Sequence, residues 1–278
     1  LAVVFFSLMD AVMKSLAAHY PAIQIAALRA LTSMPLITFY VMWRKALPSL
    51  LNVRWPLHLF RAGVGIAMLT SFAFALKTLP LTEAYALFFI APSIIAALSI
   101  PFLGEKVSRA SWIAIVVGLI GVLIVLKPTG TGIFSWAGLA VLGSASCYAF
   151  SVLTVRLLSR TDSSESMVFW LMLGVAVGAS LLAWSVWKPI RVEDYALLMG
   201  LAITGFIGQL TITEAFKLAP AATVTPFEYS ALVWGLGLDL LFWQTMPGVR
   251  VLIGAAIIVA SGIYLARHEA SGMEAEHP

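Results

Sequence analysis

Ten long apolar stretches follow one another along this 278-residue chain. Hydrophobic residues make up 61% of the sequence and charged residues 11%, whereas soluble domains are about 45–50% apolar and about 25% charged. A helix needs about 20 apolar residues to cross the hydrocarbon layer of a membrane. The sequence therefore predicts an all-α integral membrane protein with ten transmembrane helices, at about 1–18, 22–43, 57–77, 81–103, 109–126, 134–157, 166–187, 194–216, 221–243 and 249–266.

Lysine and arginine predict how these helices are oriented, because cytoplasmic loops carry an excess of both. With a cytoplasmic N-terminus, five basic residues fall outside and ten fall inside, namely Arg44, Lys45, Arg54, Arg61, Lys106, Arg109, Arg156, Arg160, Lys217 and Arg267. We therefore expect an inner-membrane (plasma-membrane) protein with both termini in the cytoplasm and a polar cytoplasmic tail at 268–278. The basic residues are dispersed, without the clustered face that nucleic-acid binding needs.

A weak internal repeat relates the two halves of the chain. An offset of 140 residues places Ala75–Pro80 (ALKTLP) over Ala215–Pro220 (AFKLAP). In both halves the Lys-x-x-Pro unit is the short turn between the third and fourth predicted helices. Each repeat then holds five helices, at 1–130 and 131–267, and this odd number inverts the second copy in the membrane. Inverted repeats around a central cavity suit alternating access in secondary transporters.

The strongest family resemblance lies in the fourth and fifth predicted helices. Leu79–Ser93 (LPLTEAYALFFIAPS), Phe102–Lys106 (FLGEK) and Gly118–Val122 (GLIGV) resemble the corresponding part of EamA-type permeases of the drug/metabolite transporter (DMT) superfamily. The resemblance covers nearly the whole chain. The second half departs from it, because Gln244–Gly248 (QTMPG) stands where the family commonly has a second Gly-Glu.

The resemblance implies a basket of ten helices around a central substrate cavity. The chain is similar to YddG-type exporters of aromatic amino acids, and other members of the superfamily move neutral amino acids, nucleotide-related metabolites or cationic drugs. Substrate does not transfer reliably across such a family, so the residues themselves must indicate it.

Three charged residues lie inside the first two predicted helices. Asp10 and Lys14 are one helical turn apart, and Arg29 follows in the second helix. Such residues cost about 2.5–3.5 kcal/mol each at membrane depth and normally face a bundle interior. Asp10 and Lys14 could neutralise each other within the helix, and Arg29 could snorkel or lock helices together. Alternatively, the three residues meet the charged ends of a zwitterionic substrate or gate the cavity.

Glu228 is the sharper candidate, because no basic residue lies within a turn of it in the ninth predicted helix. Thr225, Glu228, Gly235 and Asp239 share one stripe, which should face protein or water rather than lipid. Glu228 is therefore a candidate for proton coupling. The alternative is a structural hydrogen bond to another helix.

A second group of candidate site residues is aromatic. Tyr85, Phe89 and Pro92 share one face of the fourth predicted helix, while Tyr148 and Trp170 lie in the sixth and seventh. A ring-lined cavity would accept aromatic or large apolar amino acids by stacking. Packing and lipid contact are the alternatives for any one ring. Proline also removes a backbone hydrogen bond inside a helix, and broken helices are where transporter sites form.

The sequence thus predicts a secondary transporter that exports small metabolites by alternating access. The favoured substrates are amino acids with aromatic or large neutral side chains, and the alternative within the superfamily is a drug, cation or nucleotide-related metabolite permease. We expect a monomer in the lipid bilayer, with protons as a candidate coupling ion and neither cofactor nor metal.

A membrane-embedded enzyme is the alternative from another class. Gly235–Asp239 (GLGLD) differs by an extra residue from the Gly-x-Gly-Asp motif of intramembrane aspartyl proteases, and the zinc-protease His-Glu-x-x-His pattern is absent. The single Cys147 offers no disulfide framework.

Overall fold

Helices are the only regular elements in the computed structural model, whose described residues are 1–103, 109–126, 135–219 and 224–276. Short 3-10 helices cover Leu47–Leu50, Trp184–Val186, Val192–Asp194 and Thr225–Ser230. The α-helices are α1 Ala2–Leu16, α2 Ala22–Trp43, α3 Trp55–Ala75, α4 Leu81–Phe88, α5 Ala91–Leu103, α6 Arg109–Leu126, α7 Trp136–Leu158, α8 Ser164–Ala183, α9 Tyr195–Leu218, α10 Ala231–Trp243 and α11 Val249–Glu276.

Six helical segments are long and apolar enough to cross a membrane: Ala22–Trp43, Trp55–Ala75, Leu81–Phe102, Trp136–Leu158, Ser164–Val186 and Val192–Leu218. Backbone groups in lipid must be satisfied within the segment, and helices do this. The prediction of an all-helical, multi-pass membrane protein is confirmed. Ala231–Trp243 and Val249–Tyr264 are shorter apolar helices. The last helix continues through the polar tail as far as Glu276.

Two of the predicted membrane helices are broken. The fourth divides into α4 and α5 after Phe88, and Pro92 stands in the first turn of α5. Proline has no backbone N–H to donate to the preceding turn, so it favours this break. In the ninth, the 3-10 helix Thr225–Ser230 precedes α10. The two helices after the breaks begin at Ala91 and Ala231, which is the 140-residue offset of the Lys-x-x-Pro units.

At one end of the bundle, the α1–α2 turn is tied to the segment between α8 and α9. Tyr20 Oη donates to Asp194 Oδ2 at 2.6 Å and accepts from the Arg191 backbone N–H at 3.0 Å. The Gln24 amide exchanges two hydrogen bonds with the Lys188 backbone, at 2.7 and 2.9 Å. We call this end A.

At the opposite end, end B, the α2–α3 segment is tied to α7 and α8. His58 Nε2 lies 2.8 Å from Asp162 Oδ2, and both side chains are buried. Burial alone would raise the pKa of the Asp162 carboxyl, yet hydrogen bonds from Thr161 and His58 hold this pKa below its ordinary value. The carboxyl therefore stays ionised at neutral pH. Arg61, which the charge count assigned to a loop end, is buried and donates to the Met167 carbonyl at 2.8 Å.

Candidate functional site

An open cavity lies between the helices. Residues of α1 to α4, α7 to α10 and the 3-10 helix Thr225–Ser230 line it. Most of its wall is apolar, with a small number of polar side chains, which is the usual make-up of a small-molecule site. The polar side chains are Ser7, Asp10, Arg29, Tyr85, Ser144, Tyr148, Ser151, Gln209 and Glu228.

Arg29 supplies the positive charge of the cavity, and only 2% of its surface is exposed. Its Nη2 donates to Gln209 Oε1 at 3.2 Å, its Nε lies 3.0 Å from Met9 Sδ, and the Phe6 ring centroid is 5.9 Å away. Gln209 Nε2 donates to Thr213 Oγ1, which turns the amide oxygen toward Arg29. Among the described residues, no carboxylate lies within 4.0 Å of the guanidinium. Asp10 attracts the guanidinium electrostatically from beyond this distance, and the groups in direct contact with it are neutral. A buried cation with neutral direct contacts can receive an anion.

Two carboxylates in the same cavity each have a tyrosine partner. Tyr85 Oη on α4 donates to Asp10 Oδ2 on α1 at 2.9 Å. Tyr148 Oη on α7 donates to Glu228 Oε1 in the 3-10 helix. Within the described part of the chain, neither carboxylate has a lysine or arginine nitrogen within 4.0 Å. We call Asp10–Tyr85 and Tyr148–Glu228 the two acid–tyrosine pairs.

A row of aromatic rings connects the two acid–tyrosine pairs. Tyr85 stacks on Phe72 with a centroid separation of 6.3 Å, and Phe72 meets Phe88 edge to face at 5.7 Å. Phe88 in turn lies 5.3 Å from Tyr148. All four residues line the cavity, so they form a continuous aromatic wall. Such rings can stack on a planar apolar group.

Lys14 lies outside the cavity lining, and its partner is not Asp10. Its Nζ is 2.8 Å from Asp239 Oδ1 on α10, and Asp239 is 1% exposed. The alternative in which Lys14 neutralises Asp10 is therefore wrong. The Lys14 ammonium also lies 4.2 Å from the Trp243 ring centroid.

Asp239 also caps helix α4 from another part of the chain. Its carboxylate accepts from the Leu81 backbone N–H at 3.1 Å, and from the Thr82 backbone N–H and hydroxyl, both at 2.8 Å. The first N–H groups of a helix have no partner within the helix, so a carboxylate satisfies them and complements the helix dipole. Three helices, α1, α4 and α10, are thus joined through one buried carboxylate.

Gly235, one turn before Asp239, lets the Tyr85 ring approach α10. A Cβ atom at Gly235 would lie 2.7 Å from Tyr85 Cδ2 and 2.9 Å from Cε2. These distances are shorter than carbon atoms tolerate. Any side chain at this position would therefore displace the Tyr85 ring, whose hydroxyl donates a hydrogen bond to Asp10.

The remaining predicted site residues are divided by the structure. Asp10, Arg29, Tyr85, Phe89, Tyr148 and Glu228 line the cavity. Pro92 is buried at the helix break but is outside the lining, and the Thr225 side chain lies outside the described residues. Trp170 is near end B, where its indole N–H donates to the Leu50 carbonyl at 3.0 Å and its ring packs on Trp55.

Sequence reasoning missed several members of the cavity. Gln209 had a signal, since an uncharged amide inside an apolar helix needs a hydrogen-bond partner. Phe6 and Phe88 also had a signal, because they lie one helical turn from Asp10 and Tyr85. Phe72 had none, because the residues one turn away from it in α3 are apolar. No group of three or more His, Cys, Asp or Glu residues in the described ranges could hold a metal ion.

Comparison with known proteins identifies transporters. Among curated proteins, the chain is similar to the pseudopaline exporter CntI of Pseudomonas aeruginosa, with 29% identity over 263 residues that cover 94% of this chain and 92% of the relative. It is 31% identical over 223 residues to the riboflavin transporter of Vibrio cholerae, and these residues cover 80% of this chain and 74% of the relative. It is 25% identical to the S-adenosylmethionine uptake transporter of Rickettsia conorii over 278 residues, covering 100% and 94%.

A crystal structure of another protein has the same fold, with a TM-score of 0.74 at 19% identity over 96% of this chain and 97% of that one. The relatives named above point to transport of small metabolites rather than to an enzyme. The model of the EamA-like transporter family matches residues 1–127 and again residues 135–267. These two matches cover almost the whole chain and confirm the resemblance noted from Leu79–Ser93, so the protein belongs to the EamA-like transporter family.

Proposed function

We propose that the protein is a secondary transporter that exports amino acids with aromatic or large neutral side chains through this cavity by alternating access. One observation carries the proposal. Among the described residues, the same cavity holds a guanidinium with no carboxylate within 4.0 Å, two carboxylates with no lysine or arginine nitrogen within 4.0 Å, and an aromatic wall. A zwitterion with a large ring supplies a group for each: a carboxylate for Arg29, an ammonium for an acid–tyrosine pair and a planar face for stacking.

The proposed architecture is ten membrane helices in two inverted five-helix repeats, in a monomer of the inner membrane with both termini in the cytoplasm. The two family matches, one in each half, support it. The helix breaks before Ala91 and Ala231, with their 140-residue offset, support it as well. Broken helices at the level of the substrate are typical of transporters built from inverted repeats.

Purified protein in proteoliposomes should carry radiolabelled tryptophan and phenylalanine with saturable kinetics, well above the flux into empty vesicles. A small hydrophilic amino acid such as glycine is the matched control, because it offers both charged ends but no ring for the aromatic wall. If another class of compound shows saturable flux and the aromatic amino acids do not, the assignment of the substrate is wrong.

Glu228→Gln should abolish the response of tryptophan uptake to an imposed pH gradient, while counterflow exchange at saturating tryptophan continues. The amide still accepts the hydrogen bond from Tyr148, but it cannot bind a transported proton. Glu193→Gln is the control, since Glu193 is a surface residue paired with Arg191 and its side chain is 72% exposed. An undiminished response in Glu228→Gln would remove Glu228 from the coupling step.

A cationic metabolite is the second candidate substrate. The two carboxylates against one guanidinium leave the described cavity lining with a formal charge of −1, which favours an additional positive group. The named substrates of the relatives include S-adenosylmethionine, an amino acid with an additional cationic group. Competition of S-adenosylmethionine against tryptophan flux separates the two candidates: stronger inhibition by the sulfonium compound than by unlabelled tryptophan would favour the cationic substrate.

A further inference from the structure

We propose that the cavity contains two separate binding stations for the ammonium group of its substrate, and that each is used from one face of the membrane. The Asp10–Tyr85 pair receives the ammonium when the cavity opens at end A, and the Tyr148–Glu228 pair receives it when the cavity opens at end B. This inference rests on the proposed transport function and goes beyond it, because a transporter with a single central site needs only one such pair.

The first reason is that the cavity carboxylates differ from two other buried carboxylates in their number of partners. Asp239 has Lys14 and three donors from α4, and Asp162 has His58 and the Thr161 hydroxyl. Each of these two acids thus has several donors within the protein.

In contrast, Asp10 and Glu228 each have one tyrosine hydroxyl among the described donors. A carboxylate offers about four lone-pair sites, so most of the capacity of each cavity acid is free for a ligand that enters the cavity. An ammonium group has three donors and the complementary charge.

The second reason is depth along the bundle. Lys14 and Asp239 fix α1 and α10 at one level near end A. At 1.5 Å per α-helical residue, Asp10 lies about 6 Å below that level. Glu228 lies about 18 Å below it, because the 3-10 helix rises about 2.0 Å per residue, so the two acids differ in depth by about 12 Å along the helix axes. An ammonium group cannot contact two carboxylates so far apart at once. One pair is nearer to end A and the other nearer to end B.

The third reason is the reciprocal construction of the pairs. In the first, the acid is on α1 and the tyrosine on α4; in the second, the tyrosine is on α7 and the acid lies beside α10. Each pair therefore links the first helix of one family match to the broken helix of the same match. Opening one end would move the broken helix of that end, which would expose the pair of that end to an incoming substrate and leave the other pair covered.

The test measures half-saturation constants for radiolabelled tryptophan separately from each face, in right-side-out and inside-out membrane vesicles. Tyr85→Phe should raise the constant about tenfold at end A and change it less than about twofold at end B, because the hydroxyl that holds the Asp10 carboxylate in position for the ammonium is lost at one station only. Tyr148→Phe should have the opposite pattern.

Gly235→Ala provides a second variant, since it displaces the Tyr85 ring without removing the hydroxyl. It should reproduce the end-A effect. Gly237→Ala is the matched control, because a Cβ atom there would meet nothing within 4 Å. Equal changes at both faces in each tyrosine variant would overturn the two stations while leaving the transport function in place. Absence of saturable tryptophan flux in the wild-type protein would overturn the proposed substrate itself, and the stations with it.

Discussion

Asp239→Ala should lower the free energy of unfolding by about 3–5 kcal/mol, as expected when one partner of a buried ion pair is removed. The variant leaves the Lys14 ammonium, whose side chain is 12% exposed, without its carboxylate. It also removes the acceptor of the Leu81 and Thr82 N–H groups, so the first turn of α4 loses its cap. Titration with SDS in mixed micelles, followed by far-UV circular dichroism, measures the change.

A double variant separates the two roles of Asp239. Lys14→Met in the Asp239→Ala background should recover part of the loss, because no buried charge is then left unpaired. The remaining deficit should be about 0.5–2 kcal/mol, the usual cost of a missing helix cap. Glu193→Ala is the control and should change stability by less than about 1 kcal/mol, because the Arg191–Glu193 pair is exposed. A fully destabilised double variant would show that the ion pair contributes nothing.

Arg29→Gln should decrease tryptophan transport about 100-fold, mainly through the half-saturation constant. Loss of one partner from a desolvated charge pair costs about 2–5 kcal/mol, and each 1.4 kcal/mol is a factor of ten. Glutamine can still hydrogen-bond to Gln209, so the variant removes the charge and keeps a polar group in the cavity. Uptake should be compared at equal amounts of folded protein, judged by size-exclusion chromatography.

Arg61→Gln is the matched control for Arg29→Gln. Arg61 is also a fully buried arginine, but its partner is the Met167 carbonyl near end B and it does not line the cavity. It should cost stability and leave the half-saturation constant unchanged. Equal transport defects in the two variants would indicate that loss of a buried arginine, rather than loss of a substrate contact, is responsible.

The sequence predicted an all-helical membrane protein correctly, because the cost of exposing backbone groups to lipid makes long apolar segments helical. Asp10, Arg29 and Glu228 were expected to face the interior, because charges are costly at membrane depth, and all three line the cavity. The partner of Lys14 could not be predicted. Asp239 is 225 residues away, and Asp10 was an equally suitable partner within the same helix.

The aromatic wall shows a different limit of sequence reasoning. Tyr85 and Tyr148 were predicted to line the site as members of an aromatic group. Phe72 and Phe88 contribute equally to the wall, but a phenylalanine in a membrane helix is as compatible with lipid as with a cavity. Trp170 was placed in the site by its ring alone, whereas its indole N–H binds the Leu50 carbonyl near end B.

The two helix breaks have a mechanical consequence. An intact α-helix behaves as a stiff rod, so a tilt at one membrane face is transmitted to the other. A helix divided before Ala91 or Ala231 is instead two shorter rods with a joint between them, and a joint does not transmit bending. Movement of α4 can then leave α5 at rest, and the 3-10 helix can move without α10. A tilt at one membrane face is therefore not transmitted to the other face through these two helices.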